Sequence, residues 1–212
     1  MTENTKTVLG LGGVILLVGI FLSFSENPNK EEATIAAPLI TDPALLPGAQ
    51  LGQELPWKLE SAQLKERLKA IGLPALAMEG NALHIHQHLD IIINGTKTPV
   101  PATIGISATN DFIAPLHIHD DSGVVHVESP VVKDFTLGQV FDVWGVRFTK
   151  DCIGGYCTTA SSTLQVFVNG KEHIGDPRTL VLASHQEIAV IFGTKENFPQ
   201  TIPAEYTFPA GE

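Results

Sequence analysis

Residues 83–95 read Leu83-His84-Ile85-His86-Gln87-His88-Leu89-Asp90-Ile91-Ile92-Ile93-Asn94-Gly95, and the period of this stretch decides the fold class. His84, His86 and His88 alternate with Leu83, Ile85 and Leu89. Successive side chains of a strand point to opposite faces. The segment therefore predicts a β-strand with one apolar face and one face carrying three imidazoles followed by Asp90. Asn94-Gly95 is a strong hairpin signal and ends the strand.

A second stretch repeats the pattern. Residues 115–129 read PLHIHDDSGVVHVES, with His117 and His119 alternating with Leu116 and Ile118, and His126 and Glu128 alternating with Val125 and Val127. Asp120, Asp121, Ser122 and Gly123 form turns readily. A tight loop of two or four residues sets Ile118 opposite Val125 and His117 opposite His126. Directly opposed residues on an antiparallel pair have Cβ atoms roughly 4.5–5.5 Å apart, close enough for two imidazoles to share one ion. Six of the eight histidines of the chain fall between Leu83 and Glu128, a density that even spacing does not produce.

Neutral imidazole is the commonest side-chain metal ligand near neutral pH. The candidate metal ligands are His84, His86, His88, His117, His119 and His126, with Asp90 and Glu128 as additional ligands or as acceptors that orient imidazole N–H groups. Same-face neighbours on a strand sit about 6.5–7 Å apart, so three in a row on one ion are strained. The favoured arrangement is a His-x-His pair joined by one or two histidines from an adjacent strand. All-nitrogen sites suit a divalent transition metal, copper or zinc foremost. Met1 and Met78 are the only methionines, which disfavours a thioether Cu(I) carrier. Two rivals stand beside metal binding. One is a metal-dependent enzyme with an open three-histidine site. The other is an interaction module whose histidine face is structural or pH-sensitive.

The remaining sequence frames this stretch. A net charge of −10 disfavours nucleic acid as a partner. Val8 to Phe24 holds seventeen residues without a charge, at the short end of what spans a bilayer. Residues 1–25 are thus expected to be a transmembrane anchor, although Ser23 and Ser25 also form a small-x-small cleavage pattern. Residues 26–56, punctuated by Pro28, Pro38, Pro43, Pro47 and Pro56, read as an extended linker. Residues 57–193 form the histidine-containing domain, and 194–212 an extended tail with Pro199, Pro203 and Pro209. Cys152 and Cys157, in CIGGYC, are expected to form a disulfide that Gly154 and Gly155 allow to close. A disulfide fits a domain facing the extracytoplasmic side of the cell membrane.

Within the domain, Leu64, Leu68 and Ile71 predict a helix over 59–71 that Gly72 and Pro74 end. Leu137, Val140, Phe141 and Trp144 predict a second over 134–148, with Thr136 and Gln139 at capping-box spacing and Gly145 at the stop. Phe141 and Trp144 are read as core. Further strands are expected at 96–106, 164–168, 180–182 and 187–192, with Asn169-Gly170 as another hairpin turn. The whole predicts a mainly β domain, an antiparallel sandwich or small barrel with two short helices. Gly80 with His86 and His88 matches the opening of the cupin signature, but Ile91 and Ile92 stand where its glutamate is expected.

The motifs HIHQHLDIIING, PLHIHDDSGVVHVESP, FTLGQVFDVWG and CIGGYC, in this order, resemble those of a group of bacterial and archaeal single-anchor envelope proteins. The resemblance runs from about Trp57 to Gly193. It implies an envelope protein held by one N-terminal helix. The group has no established activity, so the chemistry rests on the residues.

Overall fold

A computed structural model of the chain describes Met1, residues 40–109 and residues 111–211. The chain divides into two units, Met1–Ala36 and Ala37–Glu212, and the fold is that of the second. The expected anchor and the first part of the linker lie outside the described residues. Among the described residues, no helix is long and apolar enough to cross a membrane.

The fold is mainly β with two helices. Its organising strand is β1 (Leu83–Ile93). Asn94 and Gly95 both take positive φ, 49° and 83°, and turn the chain into β2 (Thr96–Thr98). β2 is three residues long, not the eleven expected, because Pro99 has no N–H to donate to β1. β3 (Leu116–His117) and β4 (Val124–Ser129) form the second hairpin. β4 and β2 share one edge of β1, β4 on residues 83–88 and β2 on 91–93.

Two helices and the C-terminal half complete the domain. α1 spans Leu64–Ile71, starting later than expected because Glu60 stays outside the helix and accepts a hydrogen bond from the Gln63 N–H at 3.2 Å. Gly72 ends it in the left-handed conformation. α2 spans Leu137–Trp144, with Gln139 Oε1 accepting from the Thr136 N–H at 3.0 Å and Gly145 at its left-handed end. Then follow β5 (Cys152–Ile153) and β6 (Tyr156–Cys157), a separate hairpin closed by a Cys152–Cys157 disulfide. β7 (Ser162–Val168), β8 (Lys171–Glu172) and β9 (Gln186–Thr194) return to the main sheet. The strand expected at 180–182 is reduced to a single bridge between Val181 and Thr136.

The main sheet has seven strands in the order β3-β4-β1-β9-β7-β8, with β2 paired to β1. This corrects the expected antiparallel sandwich or barrel: one large mixed sheet carries the domain, and β1 lies parallel to β9. β9 reads Glu187-Ile-Ala-Val-Ile-Phe-Gly193 and is buried throughout that run, as a strand covered on both faces should be. Leu89, Ile91, Leu116, Val125 and Val127 pack with Leu64, Leu68, Leu137, Val140, Phe141 and Trp144 into one core. Phe141 and Trp144 are fully buried, with the Phe141 ring stacked on Phe148 at 4.2 Å. A large apolar side chain so buried contributes about 1.5–3 kcal/mol.

The segments expected to be extended lie on this unit. Gln50, in the second half of the expected linker, forms a parallel bridge with Val146, and Leu46 is buried. In the C-terminal segment, the Tyr206 ring stacks on His88 at 3.8 Å and Phe208 packs against His185.

Candidate metal centre

Strand register brings the imidazoles together. His86 of β1 stands opposite His126 of β4, and His126 stands opposite His117 of β3, which gives a row of three across three strands. The His117–His126 opposition is the one the turn chemistry predicts. The ladder stops there, because the Ile118 N–H turns to the Ile104 carbonyl at 2.9 Å. Next along β1 and β4, His84 stands opposite Glu128. His119 lies two residues beyond the end of β3 and returns to the same cluster.

The nitrogens are close. His84 Nε2 lies 3.1 Å from His86 Nε2, and His117 Nε2 lies 3.2 Å from His119 Nε2. Zinc–nitrogen bonds of 2.0–2.1 Å at a tetrahedral centre put nitrogens about 3.3 Å apart. Glu128 Oε1 lies 3.2 Å from His126 Nδ1, 3.3 Å from His84 Nε2 and 4.0 Å from His117 Nε2. Two groups result, each with donor atoms within 4.8 Å of one another: His84, His86, His126 and Glu128, and His117, His119, His126 and Glu128. Both are close enough to hold a metal ion.

The floor of the cluster is buried and its rim is open. His86, His117, His126 and Glu128 are buried, while the side chains of His84 and His119 are 51% and 44% exposed. Burial shapes the charge. It lowers the His117 imidazole to about 4, with neighbouring histidines adding to the effect and the Ala114 carbonyl opposing it. Burial and the surrounding imidazoles lower His126 to about 3, and burial with His84 lowers His86. These three rings are neutral at pH 7, the form that binds metals. His117 Nδ1–H donates to the Ala114 carbonyl at 2.9 Å, which leaves the Nε2 lone pair facing His119. Metal-ligating histidines are commonly held this way. Burial and the Glu79 carboxylate push Glu128 up, opposed by His84 and His119.

His88 and Asp90 belong to neither group. They gather with Glu187 of β9 in a third one, so the six candidate histidines divide five to one. His88 Nδ1 faces Glu187 Oε2 at 2.6 Å and His88 Nε2 faces the Ser122 carbonyl at 3.0 Å. Both ring nitrogens thus already face an oxygen acceptor. Lys97 Nζ sits 2.5 Å from Asp90 Oδ1. Burial pushes Glu187 up, opposed by His88.

Two acidic residues escaped the sequence reading. Glu187 reaches His88 only through the parallel β1–β9 pairing, which leaves no local trace. Glu79 Oε1 lies 3.5 Å from His119 Nε2. Its signal was the neighbouring glycine: a Cβ on Gly80 would stand 2.2 Å from the Pro130 nitrogen, so glycine is what lets the chain run against the end of β4. No known protein family, curated protein or solved structure matches the chain. Fold and site together define a mainly β protein with histidine–glutamate clusters close enough to hold a metal ion.

Proposed function

We propose that this chain is a membrane-anchored, extracytoplasmic domain that binds a divalent transition metal, copper or zinc, for sequestration, delivery or sensing at the cell envelope. The observation that carries the reading is the convergence of five imidazoles and the Glu128 carboxylate from three strands and the loop after β3, with Nε2 pairs 3.1 and 3.2 Å apart. Nitrogen donors favour copper and zinc over calcium or magnesium. The half-exposed rings of His84 and His119 suit exchange with solvent or a partner rather than permanent enclosure. The apolar run from Val8 to Phe24 supports the anchor, and the Cys152–Cys157 bond supports an oxidising compartment.

A metal-dependent enzyme is the second reading. It is favoured by a shallow, open depression of about 360 Å³ beside the cluster, with His84, His86, Ser184 and His185 in its lining, where a small molecule would meet the rim histidine His84.

The test is metal analysis of the full-length chain, purified with a histidine-free tag from copper- and zinc-supplemented cells. Bound metal is expected, and less of it with His126→Ala. A chain that stays metal-free and takes up neither ion on titration refutes the proposal.

A further inference from the structure

We infer that the cluster holds two cations, one on His84 and His86, the other on His117 and His119, with Glu128 between them. The inference rests on the metal-binding reading above and adds the number of ions and the residue that joins them.

Distances favour two ions. Each His-x-His pair already has its Nε2 atoms 3.1 or 3.2 Å apart, the spacing of donors on a single centre. The pairs sit on β1 and next to β3, the two strands that flank β4. Neighbouring strands are about 4.8 Å apart, so the pairs start from backbones about 10 Å apart. Of the three groups among the described residues whose donors lie within 4.8 Å of one another, two take one pair each, the third takes neither, and none takes both. Only His126 and Glu128 are common to the two groups.

Donor number agrees. Five imidazoles with Glu128 and Glu79 make seven donor residues, more than a four-coordinate ion can use. Divided between two ions, they give each a pair of histidines, a share of the centre and access to solvent at the rim. His126, ringed by His86 at 4.5 Å and by His119 at 4.6 Å, completes one of the two shells.

Glu128 is suited to the join. Its Oε1 is 3.3 Å from His84 Nε2 of one pair and 4.0 Å from His117 Nε2 of the other. It is buried, and its partners among the described residues are three histidines and the Glu79 carboxyl. A buried carboxylate needs a pairing charge or a metal. A carboxylate can join two cations, either through one oxygen shared between them or through one oxygen each.

The test is a zinc titration of the full-length, chelator-stripped chain against a competing chromophoric chelator. The rim positions make safe variants, because His84 and His119 are half exposed and their removal leaves the core intact. Wild type should bind two equivalents. His84→Ala should weaken one of them by at least about tenfold and spare the other. His119→Ala should do the same to the other one, the double variant should weaken both, and Glu128→Gln should weaken both. One equivalent in wild type, lowered by either rim variant, keeps the metal-binding reading and overturns the two-ion inference. No binding in wild type overturns both. Two equivalents with Glu128→Gln affecting only one removes Glu128 from its joining role.

Discussion

Acidifying the metal-free chain should destabilise it through His117, and the size of the effect follows from its burial. The ring is 1% exposed and held neutral down to about pH 4, whereas an imidazole in the unfolded chain titrates near 6.5. Between these values the unfolded state binds a proton that the folded state refuses, so stability falls as the pH falls. The loss begins near pH 6.5 and is complete below about 4. At 1.36 kcal/mol per pH unit, His117 alone withdraws about 2 kcal/mol between pH 7 and 5. The perturbation is His117→Asn, whose amide N–H can still donate to the Ala114 carbonyl but does not titrate. Urea unfolding of the chelator-stripped chain, followed through the buried Trp57 and Trp144, gives the stability at each pH. Wild type should lose about 2 kcal/mol more than the variant over that interval. His126 and Glu128 titrate in both proteins; losing the His117 charge relieves part of the depression of His126 in the variant, which acts in the same direction as the expected difference. Equal pH dependence in the two would show that His117 is not held neutral by its surroundings.

Three other outcomes are expected. Arg67 is fully buried and donates to the carbonyls of Val143, Pro47 and Glu60 and to the Glu60 carboxylate; Arg67→Met should cost about 3–5 kcal/mol in urea unfolding by leaving those acceptors unpaired, and Glu60→Gln much less. Gly105 has φ +77°, and a Cβ there would meet the Leu116 carbonyl at 2.4 Å and press on His117; Gly105→Ala should cost about 2 kcal/mol or more and weaken zinc binding in the same titration. Replacing Cys152 and Cys157 together by serine should lower stability by about 2 kcal/mol, the value for a loop this short, and leave metal stoichiometry unchanged, because the bridged hairpin is a separate sheet.

What the sequence disclosed was local. Alternation gave β1, Asn94-Gly95 gave its turn, and Thr136, Gln139 and Gly145 gave α2 within a turn at either end. The Asp120–Gly123 turn was enough to set His117 against His126. What escaped needed distant partners. The parallel pairing of β1 with β9 joins Gln87 to Gln186 across half the chain, and no periodicity records which strand a buried apolar run will meet. That pairing also supplies Glu187, which engages His88 and separates it from the other five imidazoles. Nothing in the spacing of Leu64, Leu68 and Ile71 singles out Arg67. Its burial depends on a loop carbonyl at Pro47 and on the end of α2 at Val143, places that helical spacing does not reveal.

The late arrival of β9 has a consequence for biosynthesis. All the donors of the five-histidine cluster are translated by residue 128, while the strand that seals the far edge of β1 begins at Gln186. Ribosomes add about 5–20 residues per second, so the imidazole array exists for seconds beside an open β edge, the kind that recruits stray strands. A cation captured in that interval would pin β1, β3 and β4 together before their neighbour is made, and metal supply would then influence how much of the newly made polypeptide reaches its native pairing.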